Sequence, residues 1–144
     1  MKLILSTWIP GRPKTKGSLD FQPGAKCTCC SRCEAYKPGG RAVENVAGSS
    51  RWRQLVAYQA GREMAGKEPI EGPVIVVAVF YLPALDVCAG RVGDDDKLAR
   101  NLLDALQDAG VYADDVQVRD LLAFKRSAPG SGHDPGLDLR VLVP

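Results

Sequence analysis

No stretch of this 144-residue sequence stays apolar for long. The longest run, Val74 to Leu82, falls far short of the roughly 20 residues that span a bilayer. The N-terminus offers no signal-peptide core either, because Met1-Lys2-Leu3-Ile4-Leu5 soon gives way to Pro10, Gly11 and Arg12. These absences predict a cytosolic protein with no membrane partner. Histidine occurs once, at His133 in the Gly/Pro-rich segment 127–136, where it reads as a solvated loop residue. No acidic 12-residue loop has a central Gly and a closing Glu, which argues against an EF-hand calcium site. Internal repeats are absent too, and the length suits one domain over 1–144.

Aspartate, by contrast, is concentrated. Asp94, Asp95, Asp96, Asp104, Asp108, Asp114, Asp115 and Asp120 fall within 27 residues and make up eight of the 17 acids. Each ionised neighbour raises the cost of ionising the next, so the cluster needs a neutraliser, and a hard divalent cation is the usual one. The bases are offset from the acids. Residues 1–67 hold 12 Lys/Arg against four Asp/Glu, a balance of +8, whereas 68–144 hold seven against 13, a balance of −6. A basic half beside an acidic cluster suits a protein that holds a polyanion near a metal, although ordinary solvated surface accounts for the same numbers.

The pattern of apolar residues predicts an α/β (α+β) fold in which a single mixed sheet packs against two main helices. Lys2–Ile9 reads as a strand, and residues 10–50 as a long basic loop containing the cysteines. Ser49 and Ser50 are candidate caps for a helix to about Ala65, with Trp52, Leu55, Val56, Ala60 and Met64 on one face. Val74–Leu82 reads as a central strand buried on both faces. In residues 96–109, Leu98, Leu102, Ala105, Leu106 and Ala109 form a helical stripe that Gly110 ends. Val116–Arg126 comes next as a strand with Val116, Val118, Leu122 and Phe124 on one face. Leu137, Leu139, Val141 and Val143 alternate with polar residues in a last strand. Trp8, Trp52 and Tyr58 are expected in the core.

Asp94 and Asp96 stand at the mouth of the second helix, where the helix dipole favours carboxylates. Asp96, Arg100 and Asp104 follow one another at i, i+4 and i+8, opposite the leucine stripe, so Arg100 lies beside Asp96. Carboxylates from two segments, with few imidazoles or thiols nearby, suit Mg²⁺ or Mn²⁺ rather than zinc. Such an ion keeps positions open for water and phosphate oxygens and supports phosphodiester hydrolysis. A helix start rich in caps, followed by an Asp-rich turn, is the competing reading of the same spacing.

The joined segments Asp94-x-Asp96-x-Leu98-x-Arg100-x-x-x-Asp104-Ala105-Leu106 and Gly110-Val111-Tyr112-x-Asp114-Asp115-x-Gln117-Val118 resemble the RusA-type endodeoxyribonucleases, the Holliday junction resolvases of phages and prophages. Ile9-Pro10-Gly11-Arg12-Pro13-Lys14-Thr15-Lys16 resembles that family's N-terminal strand and basic loop more weakly. The resemblance implies a Mg²⁺-dependent nuclease that resolves branched DNA as a homodimer in a bacterial or phage-infected cell. It makes Asp94, Asp96 and Asp115 the catalytic metal ligands and Asp114 a supporting carboxylate, with Asp104 orienting or pairing. Lys97 stands where the family has Asn, and Arg100 where it has Lys. Arg100 keeps the charge but cannot donate a proton.

Cys27, Cys29, Cys30 and Cys33 crowd four thiols into seven residues, with Cys88 apart. They fit a structural zinc clamping the basic loop, a reduced loop, or a disulfide. Arg12, Lys14, Lys16, Arg51, Arg53 and Lys97 are candidate phosphate contacts. The alternative function is a non-catalytic, zinc-containing nucleic-acid-binding module, and a weaker one is a structural divalent-ion-binding protein.

Overall fold

The computed structural model describes residues 1–16, 19–22, 41–44, 47–83 and 95–144, with 19–22, 41–44 and 95 described by their backbone alone. Four strands form the main sheet: β1 (Lys2–Pro10), β4 (Val74–Leu82), β5 (Val118–Ser127) and β6 (Gly136–Val143), in the order β1-β6-β4-β5. β6 runs antiparallel to both β1 and β4, while β4 and β5 are parallel. A parallel pair needs a crossover, and α2 (Asp95–Asp108) lies within that connection. The other helix, α1 (Ser49–Glu63), packs on α2 and β1. This is the mixed sheet with two helices that the apolar pattern predicts.

Strand alternation separates the two faces of the sheet. Val74, Val76, Ala78, Phe80 and Leu82 of β4 join Leu137, Leu139 and Val141 of β6 in the core beneath the helices. From α1 come Trp52, Val56 and Ala60, and from α2 come Leu98, Leu102, Ala105 and Leu106, all fully or nearly fully buried. Each leucine of this kind contributes about 1.5–3 kcal/mol through burial. Among the described residues no helix lies over the opposite face. There Ile75, Val77 and Val79 lie in register with Leu142, Arg140 and Asp138, and β5 places Leu122 beside Val77 and Phe124 beside Val79. The expectation that β4 is enclosed on both sides therefore fails. Val77, Val79 and Tyr81 are half-buried, while Leu122 and Phe124 are exposed.

Several boundaries also shift. Within the supposed loop 10–50, β2 (Leu19–Gln22) and β3 (Arg41–Glu44) pair antiparallel as a separate ribbon. Residues 115–117 form a 3-10 turn, so β5 begins at Val118 and leaves Val116 exposed. Trp52 is in the core, but Tyr58 is exposed, and Trp8 lies on the open face with its ring over Gly136, where a Cβ would collide. Neither serine caps α1, because the N-cap is Gly48 at φ 82° with no side-chain bond.

The end of α2 sets where the chain turns into the second acidic segment. The Gly110 N–H donates to Gln107 O and the Val111 N–H to Leu106 O, both at 3.0 Å, the two bonds of a Schellman motif. Leu106 and Val111, both fully buried, supply its apolar contact. Gly110 has φ 70°, and a Cβ there would meet nothing within 4 Å. The left-handed backbone is thus the whole cost of a side chain at this position. Gly110→Ala is expected to destabilise the protein by about 1–2 kcal/mol, read as a lower urea midpoint with an unchanged m-value. An unaltered midpoint would show that the turn tolerates a different backbone.

Candidate active site

Asp96 lies in the first turn of α2, exposed, with its carboxylate 3.6 Å from the Arg100 guanidinium one turn later. The i, i+4 spacing predicts this pair, and the helix delivers it. Asp94 lies outside the described residues, as do Cys27, Cys29, Cys30, Cys33 and Cys88. Asp104, two turns beyond Asp96, is an ion-pairing residue. It accepts from Lys16 Nζ at 2.5 Å and lies 3.5 Å from Arg53 Nη1.

The second acidic segment is fastened from several sides. Ile70 N–H donates to Val111 O, and Ile70 and Tyr112 form a parallel bridge. The buried Tyr112 hydroxyl donates to Leu103 O at 3.0 Å, which ties the segment to α2. Burial pushes that hydroxyl well above its usual pKa, and the charges of Asp115 and Asp104 push it the same way. One phenol thus lies in the field of a carboxylate from each segment. The 3-10 turn Asp115–Gln117 packs against α2.

Gln117 organises this turn. Its Oε1 accepts the N–H groups of Ala113 and Asp114 at 2.9 and 3.2 Å, and its Nε2 donates to Ile70 O and Gly72 O at 2.9 and 3.0 Å. Asp114 Oδ1 accepts the Val116 N–H at 2.9 Å, completing a reciprocal cap. Asp114 is therefore engaged as the cap of this turn. The exposed Asp115 carboxylate makes no hydrogen bond or ion pair among the described residues.

A basic segment crosses the same helix. After β1, the Lys16 N–H donates to Lys97 O at 3.0 Å, and the Asn101 amide donates to Lys14 O at 2.9 Å. Lys14 and Lys16 are half-buried, whereas Arg12 and Arg51 are exposed. The first turn of α1, which contains Arg51, holds no acid. Of the candidate phosphate contacts, Arg53 is engaged by two acids of α2. Its Nε and Nη2 donate to the two Asp108 oxygens at 2.6 and 2.9 Å. Sequence reasoning missed both side-chain amides, Gln117 and Asn101, because neither charge nor apolar periodicity marks a polar residue that binds backbone. Gln117 had a signal, since an Asp three residues before a Gln is a capping-box spacing.

The family model Endodeoxyribonuclease RusA matches residues 28–141. The chain belongs to that family. No curated protein matches it. Membership places the chain among endodeoxyribonucleases that resolve Holliday junctions, enzymes of recombination acting on branched DNA. Among the described residues no three His, Cys, Asp or Glu side chains gather as a metal set. The exposed donors that remain, Asp96 and Asp115, are carboxylates, the oxygen chemistry a hard cation takes.

The Arg53–Asp108 pair gives this end of the molecule a pH signature. Hydrogen bonds from Arg53 hold the Asp108 carboxyl below its usual pKa, partly offset by desolvation. A depressed folded-state value stabilises the protein above the unfolded pKa, about 3.9, and that contribution is lost as pH falls through the folded value. Both side chains are more than a third exposed, so the pair contributes at most about 1 kcal/mol. Arg53→Met should lower stability by up to that amount at pH 7, and the gap from the parent should close below about pH 4. A gap that persists at pH 2.5 would assign the loss to packing of the arginine stem.

Proposed function

We propose that this endodeoxyribonuclease is divalent-metal-dependent, with Asp94, Asp96 and Asp115 holding Mg²⁺ or Mn²⁺. The observation that carries the proposal is the seating of the Asp114–Gln117 turn against α2, which leaves Asp115 exposed while its neighbour caps the turn. A bound ion would supply an activated water and charge neutralisation at the leaving oxygen. The chain's own side chains do the rest. Asp96 and Asp115 provide hard oxygen donors, and Arg100, already beside Asp96, sets a fixed cation next to the phosphate under attack. Its guanidinium holds charge and geometry but moves no proton. Arg12, Lys14, Lys97 and Arg51 offer positive charge along the flank of α2 and the start of α1 for the flanking phosphates.

Asp96→Asn and Asp115→Asn should each lower four-way-junction cleavage by several orders of magnitude while leaving junction binding in EDTA within a few-fold of the parent. EDTA should abolish cleavage, and Mg²⁺ or Mn²⁺ should restore it. Normal cleavage by either variant would remove that residue from the ligand set.

A four-way junction presents two symmetry-related strands, and a two-fold dimer presents two sites. We assign the dimer contact to the sheet face over which no described helix lies, where Ile75, Val77, Leu122, Phe124 and Leu142 form an apolar field with Asp138 and Arg140. Exposed apolar patches of this kind mark interaction sites. Leu122→Asp together with Phe124→Asp should turn a dimer into a folded monomer in light scattering. A doubly substituted protein that remains dimeric would move the interface elsewhere.

A further inference from the structure

We propose that Asn101 is a positioning residue that sets the basic segment 12–16 against α2 and so determines how many phosphates the enzyme contacts. The inference rests on the reading of that segment as a DNA contact. Asn101 is 1% exposed on a helix whose other buried side chains are apolar, and burying an amide is costly unless it is hydrogen-bonded. Its Nδ2 donates to Lys14 O at 2.9 Å and to Ser49 Oγ at 3.3 Å. The carbonyl of Lys14 can only accept, so the nitrogen must face it.

One side chain therefore joins three pieces of chain: α2, the segment after β1, and the first residue of α1. Ser49 is itself fully buried, and its hydroxyl accepts this bond. The Asn101 oxygen accepts no hydrogen bond among the described residues, so the donors on its nitrogen are what fix the orientation of the amide.

The spacing along the helix points the same way. Lys14 O meets Asn101, and the Lys16 N–H meets Lys97 O one turn earlier. One helical turn rises about 5.4 Å, close to the roughly 6.6 Å that two extended residues span. The segment thus lies along α2 in a fixed register and runs toward the helix end that carries Asp96 and Arg100. At the other end, the Gly11 N–H donates to Pro135 O at 3.0 Å, which anchors the entry of the segment. Loss of the Asn101 donors removes the middle anchor, the one that holds Lys14 against the helix.

The test is junction binding in EDTA across a salt series with a labelled four-way junction. Each phosphate contact contributes roughly 0.9 to the slope of log affinity against log salt. Lys14→Ala should lower the slope by roughly one contact, and Asn101→Ala by a similar amount. The double variant should bind like either single one, because both changes remove the same contact. Asn101→Asp fills the same volume but cannot donate to Lys14 O, so it should behave like Asn101→Ala. Ser49→Ala, which spares the Lys14 bond, should keep the parent slope. In turnover assays, Asn101→Ala should raise KM and leave kcat within a few-fold. An unchanged slope in folded Asn101→Ala and Asn101→Asp, or additive losses in the double variant, overturns the positioning role. Failure of both variants to fold also overturns it, since the amide would then serve the whole fold. If Lys14→Ala itself leaves the slope unaltered, it is the DNA-contact reading of the segment that fails.

Discussion

The seating of α2 is the constraint on which the candidate site depends. Leu98, Leu102, Ala105 and Leu106 are sealed against the sheet and α1, so the helix can neither rotate nor slide without exposing them. Truncating a leucine in such a stripe costs about 2–5 kcal/mol. With that stripe fixed, every other position on the helix has a set direction. Asp96, Arg100 and Asp104 project from the opposite side, Asn101 reaches the segment after β1 and the start of α1, and Leu103 O meets Tyr112. The apolar residues supply the energy and the polar ones use the resulting geometry.

The acidic cluster is neutralised in pieces. Asp104 is held by Lys16 and Arg53, Asp108 by Arg53, and Asp120 by Arg119, while Asp114 caps a turn. Crowded aspartates in the sequence raise the question of what offsets their repulsion, and for four of the six whose side chains are described the protein's own bases and backbone N–H groups answer it. Asp96 and Asp115 stand apart. Among the described residues, Asp96 has only a long, exposed contact with Arg100, and the Asp115 carboxylate has no ionic or hydrogen-bonded partner. Among the described residues of the cluster, these two carboxylates keep oxygen atoms open to solvent beside a framework whose other charges are paired, which is why the proposed metal set draws on them.

The legible part of this architecture was the part written in periodicity. The run Val74–Leu82 and the stripe from Leu98 to Leu106 mark β4 and α2 because burial selects apolar residues at periods that sequence displays. The pairing of Asp96 with Arg100 is legible for the same reason, being local to one helix. The features that escaped depend on tertiary packing. Nothing local tells a strand whether helices cover one face or two, so β4 read as enclosed, and the face shared by Leu122 and Phe124 gave no sign of whether it turns toward the core. The short ribbon of Leu19–Gln22 with Arg41–Glu44 pairs across a long separation that no local pattern reports. The N-cap of α1 is Gly48 rather than a serine, and the Ser49 hydroxyl instead meets Asn101, a partner 52 residues away that no local pattern reports.

Those long-range polar contacts also explain how the two charge halves of the chain come to work as one surface. The +8 half reaches the −6 half through a few bonds: Lys14 O and the Lys16 N–H on α2, Lys16 and Arg53 on Asp104, and Arg53 on Asp108. Each bond that uses a base to hold the fold removes it from the pool available to a polyanion. Arg53, bidentate on Asp108, is mostly spent in this way, and Lys16 is partly spent. Arg12 and Arg51 stay exposed on the flank of the site. The division of labour comes from reach. Bases that reach the acidic face of α2, Lys16 and Arg53, are engaged in holding the fold, whereas the proposed phosphate contacts Arg12 and Lys14 sit on a segment fixed by backbone bonds.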